Sequence, residues 1–179
     1  MKEVDEKTEK LIRAILQVRN IPRNLRNNNP GNLIYEEKNK WKGMTGTDGR
    51  FCKFRSMAWG FRAFFRLMHN YNAFGRKTLR SIIVRYAPSN ENDTEGYIKA
   101  VSAMTGIPPE IPLPDPLQLG EQNRWCKIAL AFCAVESGIK VELLQDLFET
   151  SEYFPHEPVS QGWLLAKNPI LNEEVQMKK

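Results

Sequence analysis

The chain has 179 residues, 41% hydrophobic and 26% charged, the size and balance of one globular domain rather than of a disordered or fibrous chain. A net charge of +5 favours an acidic partner, whether nucleic acid, an anionic membrane surface or the anionic polymers of a bacterial wall, without choosing among them. Cys52, Cys126 and Cys133 are too few for a disulfide scaffold or a zinc site and read as small buried hydrophobes; Cys126 and Cys133, two turns apart on one predicted helix, are too distant to bridge.

In chain order, residues 4–18 predict a helix with Leu11, Ile12, Ile15 and Leu16 on one face, stopped by Pro22. The segment 23–35, RNLRNNNPGNLIY, is dense in turn formers. Segments 32–36 and 50–54 are expected to pair as a small hairpin or sheet, with Gly43, Gly46 and Gly49 in the connection. Ser56 is placed to cap a central helix whose Phe61, Phe64, Phe65 and Met68 share a face up to Tyr71. Thr78 caps a shorter helix carrying Leu79, Ile82, Ile83 and Tyr86, ended by Pro88. Asn92 with Glu95 suggests a capping box for a helix carrying Tyr97, Ile98 and Val101, and Gly106 stops it.

Residues 107–120 hold five of the eleven prolines, which predicts an extended surface loop. Helices over about 121–137 and 141–150 follow, and after Pro155 no periodicity is long enough to assign. The first residues are charged and lack the apolar core of a signal peptide, and no apolar run approaches the ~20 residues of a membrane span. The expectation is synthesis in the cytoplasm, without membrane insertion.

The helix at 121–137 carries the chemistry. Trp125, Ile128, Ala129 and Phe132 fall on one face, and Glu136 lands within that stripe. Both burial and the C-terminal end of the helix dipole disfavour the charged carboxylate there, so its pKa should rise, as a glycosidase general acid requires. The competing reading is a helix that frays before Gly138 and releases Glu136 to solvent.

The run Ala134-Val135-Glu136-Ser137-Gly138 resembles the Glu-Ser helix end of lytic transglycosylases and goose-type lysozymes, in which the Glu is the catalytic acid/base. Separately, RNNNPGNL at 26–33, then Trp41, Gly43, Asp48 and Phe54, resembles a family of phage and prophage proteins often labelled structural or virion proteins. Gly60-Phe61-Arg62-Ala63, residues 87–94 and the Glu136/Gly138 helix end continue that resemblance in order, over roughly 23–138. The resemblance implies a mainly α (α+β), lysozyme-like fold: an N-terminal helix over 1–22, the lysozyme-like domain over 23–150 and a C-terminal tail over 151–179. In lysozyme-like enzymes the catalytic Glu precedes the Asn- and Gly-rich segment, whereas Glu136 follows it by about a hundred residues. Either the elements are circularly permuted or the Glu-Ser match is accidental, which keeps Glu36, Glu37, Asp48 and Glu91 open as alternative acids.

Around Glu136, the candidate sugar contacts are the amides of Asn28, Asn29 and Asn32, the rings of Tyr35 and Trp41 (with Trp59), and Ser137. Each amide reads equally as a turn capping its own backbone, and each ring as core. A lytic transglycosylase needs one carboxyl, whereas a hydrolase needs a second, for which Asp48 is the candidate although residues 46–49 also read as a turn. His69 and His156 show no metal or nucleophile spacing, Cys52 has no activating base, and neither metal nor cofactor is expected.

The function expected is cleavage of the β-1,4 link of peptidoglycan, with glycan strands as partner and virion association or release to the wall as destination. The alternative is a non-catalytic virion structural or wall-binding protein that also contacts other virion proteins. Nucleic-acid binding is the third reading, from Arg19, Arg23, Arg26, Arg50, Lys53, Arg55, Arg62 and Arg66, but no recognition motif accompanies them and solvated surface explains them as well.

Overall fold

A computed structural model describes residues 21–150, 154 and 157–168, together with Glu6 and Lys10. It is mainly helical with one small antiparallel hairpin, an α+β arrangement. In order these are α1 (Arg23–Arg26), β1 (Met44–Thr47), β2 (Cys52–Phe54), α2 (Met57–Ala73), α3 (Leu79–Tyr86), α4 (Thr94–Thr105), α5 (Gln122–Ser137), α6 (Val141–Thr150) and α7 (Pro158–Lys167). The helix expected over 4–18, with Leu11, Ile12, Ile15 and Leu16, lies almost wholly outside the described residues, as do Arg19 and His156.

The core forms where the apolar stripes predict it. Phe61, Phe64, Phe65 and Met68 of α2 are buried, as are Trp125, Ile128, Ala129 and Phe132 of α5. Edge-to-face ring pairs tie α2 to its neighbours: Phe64 to Phe132 at 5.1 Å and Phe61 to Phe148 of α6 at 5.7 Å. Such pairs add to simple area burial because ring edges meet ring faces of opposite partial charge. Thr78 caps α3 in a reciprocal box with Ser81, and Gly106 ends α4 in a left-handed conformation.

Four local expectations are corrected. The hairpin joins 44–47 to 52–54, and the 32–36 segment contributes only an Ile34–Phe51 bridge, because Gly43 turns the chain before β1 begins. The cap of α4 is Asp93 rather than Asn92, its carboxylate accepting from Gly96 N–H. Ser56 does occupy the cap position of α2, but its hydroxyl makes no capping hydrogen bond. Arg62, grouped above with the surface cations, is fully buried on α2.

The proline-rich 107–120 segment is not a free loop. Proline removes donors but leaves carbonyls, and the core's long side chains use them. Trp125 Nε1 donates to Pro114 O (3.2 Å), Asn72 Nδ2 to Leu113 O (3.1 Å) and Trp163 Nε1 to Pro116 O (2.8 Å). The segment is thus strapped across α2, α5 and α7, with Leu113 buried beneath it.

Within the stretch read as a tail, α7 is packed into the core, burying Val159, Gly162, Trp163 and Ala166. Gly162 and Ala166 on its buried face and an exposed Leu164 blur its hydrophobic period, yet Glu157 caps its first turn by accepting from Ser160 N–H and Pro158 sits at its start. Gly162 lets α7 approach α2: a Cβ there would lie 2.5 Å from Phe61 Cβ and 2.8 Å from Ala58 O. Gly162→Ala is therefore expected to cost about 1–3 kcal/mol by overpacking, a fall of several degrees in Tm. A thermal melt matching that of the parent would show that α7 is not seated on α2.

Candidate functional site

The 24–33 segment folds as a knot of amide hydrogen bonds. Asn24 is fully buried, and its Nδ2 donates to Pro30 O (3.0 Å) and to Cys133 O of α5 (3.3 Å). Asn29, also fully buried, donates to Leu33 O and Cys52 O and accepts from Leu33 N–H, which ties the segment to the hairpin. Asn28 and Asn32 take left-handed backbone, with φ of 51° and 48°, a conformation that Asn tolerates better than other side-chain-bearing residues. Gly31 serves a different need: Tyr86 OH donates to its carbonyl, and a Cβ on Gly31 would collide with that hydroxyl.

This knot delivers one amide to the end of α5. Asn32 Nδ2 donates to Glu136 Oε2 at 2.8 Å, and Tyr97 OH of α4 donates to Glu136 Oε1 at 3.0 Å. Behind the carboxyl, Tyr86, Tyr97 and Phe132 pack edge to face, at 5.1 Å for Tyr86–Phe132 and 5.4 Å for Tyr97–Phe132. Burial against these rings pushes the Glu136 carboxyl above its ordinary value, opposed by the hydrogen bonds from Asn32 and Tyr97. Tyr86 and Tyr97 are pushed well up, first by burial and then by Glu136, so both remain neutral donors.

Glu136 lines a cavity of about 340 Å³, within the range of small-molecule sites. One wall comes from residues 31–34 with Trp41, Arg50 and Phe51; the other from Arg85, Tyr86, Pro88 and Glu91. Of the candidate sugar contacts, Asn32 and Trp41 reach this cavity. Asn28 instead donates to Phe54 O, Asn29 is committed to the hairpin, and Tyr35 lies outside the lining. Ser137 donates to Ala134 O and accepts from Ile139 N–H, so it finishes the helix and leaves the cavity wall to Glu136.

Asp48 is held elsewhere. It pairs with Arg23, accepts from Asn27 Nδ2 (2.7 Å) and receives the backbone N–H groups of Arg50 and Phe51. The Arg23 hydrogen bond, then that of Phe51, holds its carboxyl far below the usual carboxylate range, and it does not line the cavity. The other acids on the cavity are Glu36, which accepts from Asn39, and Glu91, paired with Arg50 at 3.6 Å. Glu37 is not in this lining.

The cations proposed for nucleic acid are largely engaged: Arg23 with Asp48, Arg50 with Glu91, and Arg55 over the Trp59 ring at 4.1 Å. Cys52 and Cys126 are pushed up to about 12 by burial, and Cys133 is raised by burial too, so none is a thiolate near neutrality. His69 pairs with Asp115 at 2.8 Å, away from the cavity lining. Among the described residues no cluster of His, Cys, Asp or Glu could hold a metal ion, and no helix is long and apolar enough to cross a membrane.

Tyr97, Tyr86 and Arg85 are the site residues that periodicity missed, since it reads the tyrosines as apolar face and the arginine as surface. The available signal was the phenol itself: a buried tyrosine hydroxyl needs a partner, and an acid on the neighbouring helix can supply it.

The raised pKa has a consequence for stability. The folded chain holds the Glu136 proton more tightly than the unfolded chain, so ionising this carboxyl destabilises the fold as pH climbs from the ordinary value of 4.5 through the raised one. Glu136→Gln, which keeps the neutral form, should therefore gain Tm relative to wild type as pH rises across that window, with the gain absent below it. Thermal shift across a pH series checks this, and a difference independent of pH would contradict it.

No family model matches the chain. It is similar to Protein P5 of Pseudoalteromonas phage PM2, 38% identical over 97 residues, which is 51% of this chain and 61% of that protein. The match thus spans less than two thirds of the relative, and the chain is related to a phage protein.

Proposed function

We propose that this is a phage-type protein that cleaves peptidoglycan glycan strands by lytic transglycosylation, with Glu136 as the single acid/base. The observation that carries the reading is the raised-pKa carboxyl of Glu136 opening onto a cavity between the 31–34 segment and the 85–91 segment. Protonated Glu136 donates to the glycosidic oxygen, and the bond from that oxygen to C1 of the N-acetylmuramic acid residue breaks. The resulting carboxylate then takes the proton from that residue's own 6-hydroxyl, whose oxygen closes on C1 to give a 1,6-anhydro end. Water is not consumed, and Glu136 is returned protonated.

The site suits both halves of this cycle. Aromatic burial keeps the proton on Glu136 at the start, while Asn32 Nδ2 and Tyr97 OH stabilise the anion that follows. Asp48, the second acid a hydrolase would use, is neutralised by Arg23, which favours the one-carboxyl mechanism.

A second reading, a virion-associated structural or wall-binding protein without turnover, draws on kinship to a phage protein. Digestion of purified sacculi followed by mass spectrometry of the soluble fragments separates the two. The expected result is release of 1,6-anhydro muropeptides, reduced at least about 100-fold in Glu136→Gln and retained in Asp48→Asn. Reducing-end products in place of anhydro ends would indicate a hydrolase. Wall binding with no fragments released would end the enzymatic reading.

A further inference from the structure

We propose that Arg85 forms a carboxylate-binding subsite in the same cavity as Glu136, receiving an anionic substituent of the glycan strand. This rests on the glycan-cleaving reading and adds what the site selects.

Arg85 lies in the last turn of α3, where the helix dipole favours a cation, and its side chain lines the cavity. It is half-buried, and its Nε is sealed from solvent with no hydrogen-bond partner among the described residues. That sealed atom is beyond a ligand's reach, so contact with a ligand falls to the accessible remainder of the half-buried side chain. The acids of the cavity have other partners. Glu91 is paired with Arg50, and Glu36 accepts from Asn39 with Lys38 alongside at 3.5 Å. Glu136 is held by Asn32 and Tyr97; burial raises its pKa and those two bonds oppose the rise, with no part from Arg85. The charge of Arg85 acts instead on Tyr71, another residue of the cavity lining.

The cavity therefore presents two chemically distinct places: a neutral carboxyl between an amide and a phenol, and a separate guanidinium whose carboxylate partner is not in the described chain. A guanidinium offers a planar fork of donors that matches a carboxylate's two oxygens. On a peptidoglycan strand that group is either the free lactyl carboxylate of a denuded muramic acid residue or a carboxylate of the stem peptide.

Isothermal titration of full-length Glu136→Gln, which binds without turnover, tests the assignment. The three ligands are neutral chitotetraose, a denuded muramic-acid-containing tetrasaccharide, and the same tetrasaccharide bearing stem peptides. At least one carboxylate-bearing glycan should bind about tenfold more tightly than chitotetraose at low salt, and the better of the two identifies the carboxylate recognised. Adding Arg85→Gln should abolish that preference, weakening the charged glycan about tenfold more than chitotetraose, and Arg85→Lys should restore part of it. Circular dichroism establishes that the variants are folded; if Arg85→Gln is not, loss of the preference with rising salt in the parent and its partial retention in Arg85→Lys decide. Equal affinity for neutral and charged glycans, or an equal loss of both in Arg85→Gln, overturns the subsite while leaving the glycan reading intact. Binding of none of the three overturns both.

Discussion

The carboxyl of Glu136 is held between an amide from the 24–33 knot and a phenol from α4, at the end of a helix face that is otherwise aromatic and aliphatic. Those two hydrogen bonds set the separation of three parts of the chain that are distant in sequence, and with it the shape of the cavity. They also balance the carboxyl. Burial raises its pKa, while the two donors favour its anion and oppose the rise.

The rest of the molecule can be understood as support for that clamp. Asn24 ties the knot to the carbonyl of Cys133, one turn before Glu136 on the same helix, so both partners of the Asn32–Glu136 bond hang from neighbouring backbone. Asn29 ties the knot to the hairpin that forms one wall. Tyr86 closes onto Gly31 from the opposite wall, its ring packed on Phe132 and Tyr97. Side chains whose own rotamers are fixed by such packing hold the carboxyl in one place.

The segment's amides divide between two tasks. Asn24, Asn27, Asn28 and Asn29 make internal bonds, to α5, Asp48, β2 and the hairpin respectively, and Asn32 turns toward the cavity. The two carboxyls singled out from sequence divide in a similar way. Asp48, surrounded by an arginine, an amide and two backbone donors, is fixed as an anion and closes the turn before β2. Glu136, surrounded by rings and neutral donors, keeps a proton more readily. Environment, not residue type, assigns their chemistry.

Sequence alone determined the features that depend on a few neighbouring residues. The helices of α2, α3, α5 and α6, the Thr78 cap, the Gly106 stop and the place of Glu136 on the buried stripe follow from hydrophobic period and capping chemistry, which act within one or two turns. Strand pairing was less legible, because a strand of three or four residues bears too little alternation to fix its register against flanking glycines. Only the tertiary structure decided that Asn32 and Tyr97, 104 and 39 residues away, would meet Glu136, and that α7 would seat on α2. A hydrogen-bonding side chain advertises its need for a partner but not which partner. That choice is made by the packing of distant helices, where a missing Cβ at Gly31 or Gly162 sets how closely two elements approach.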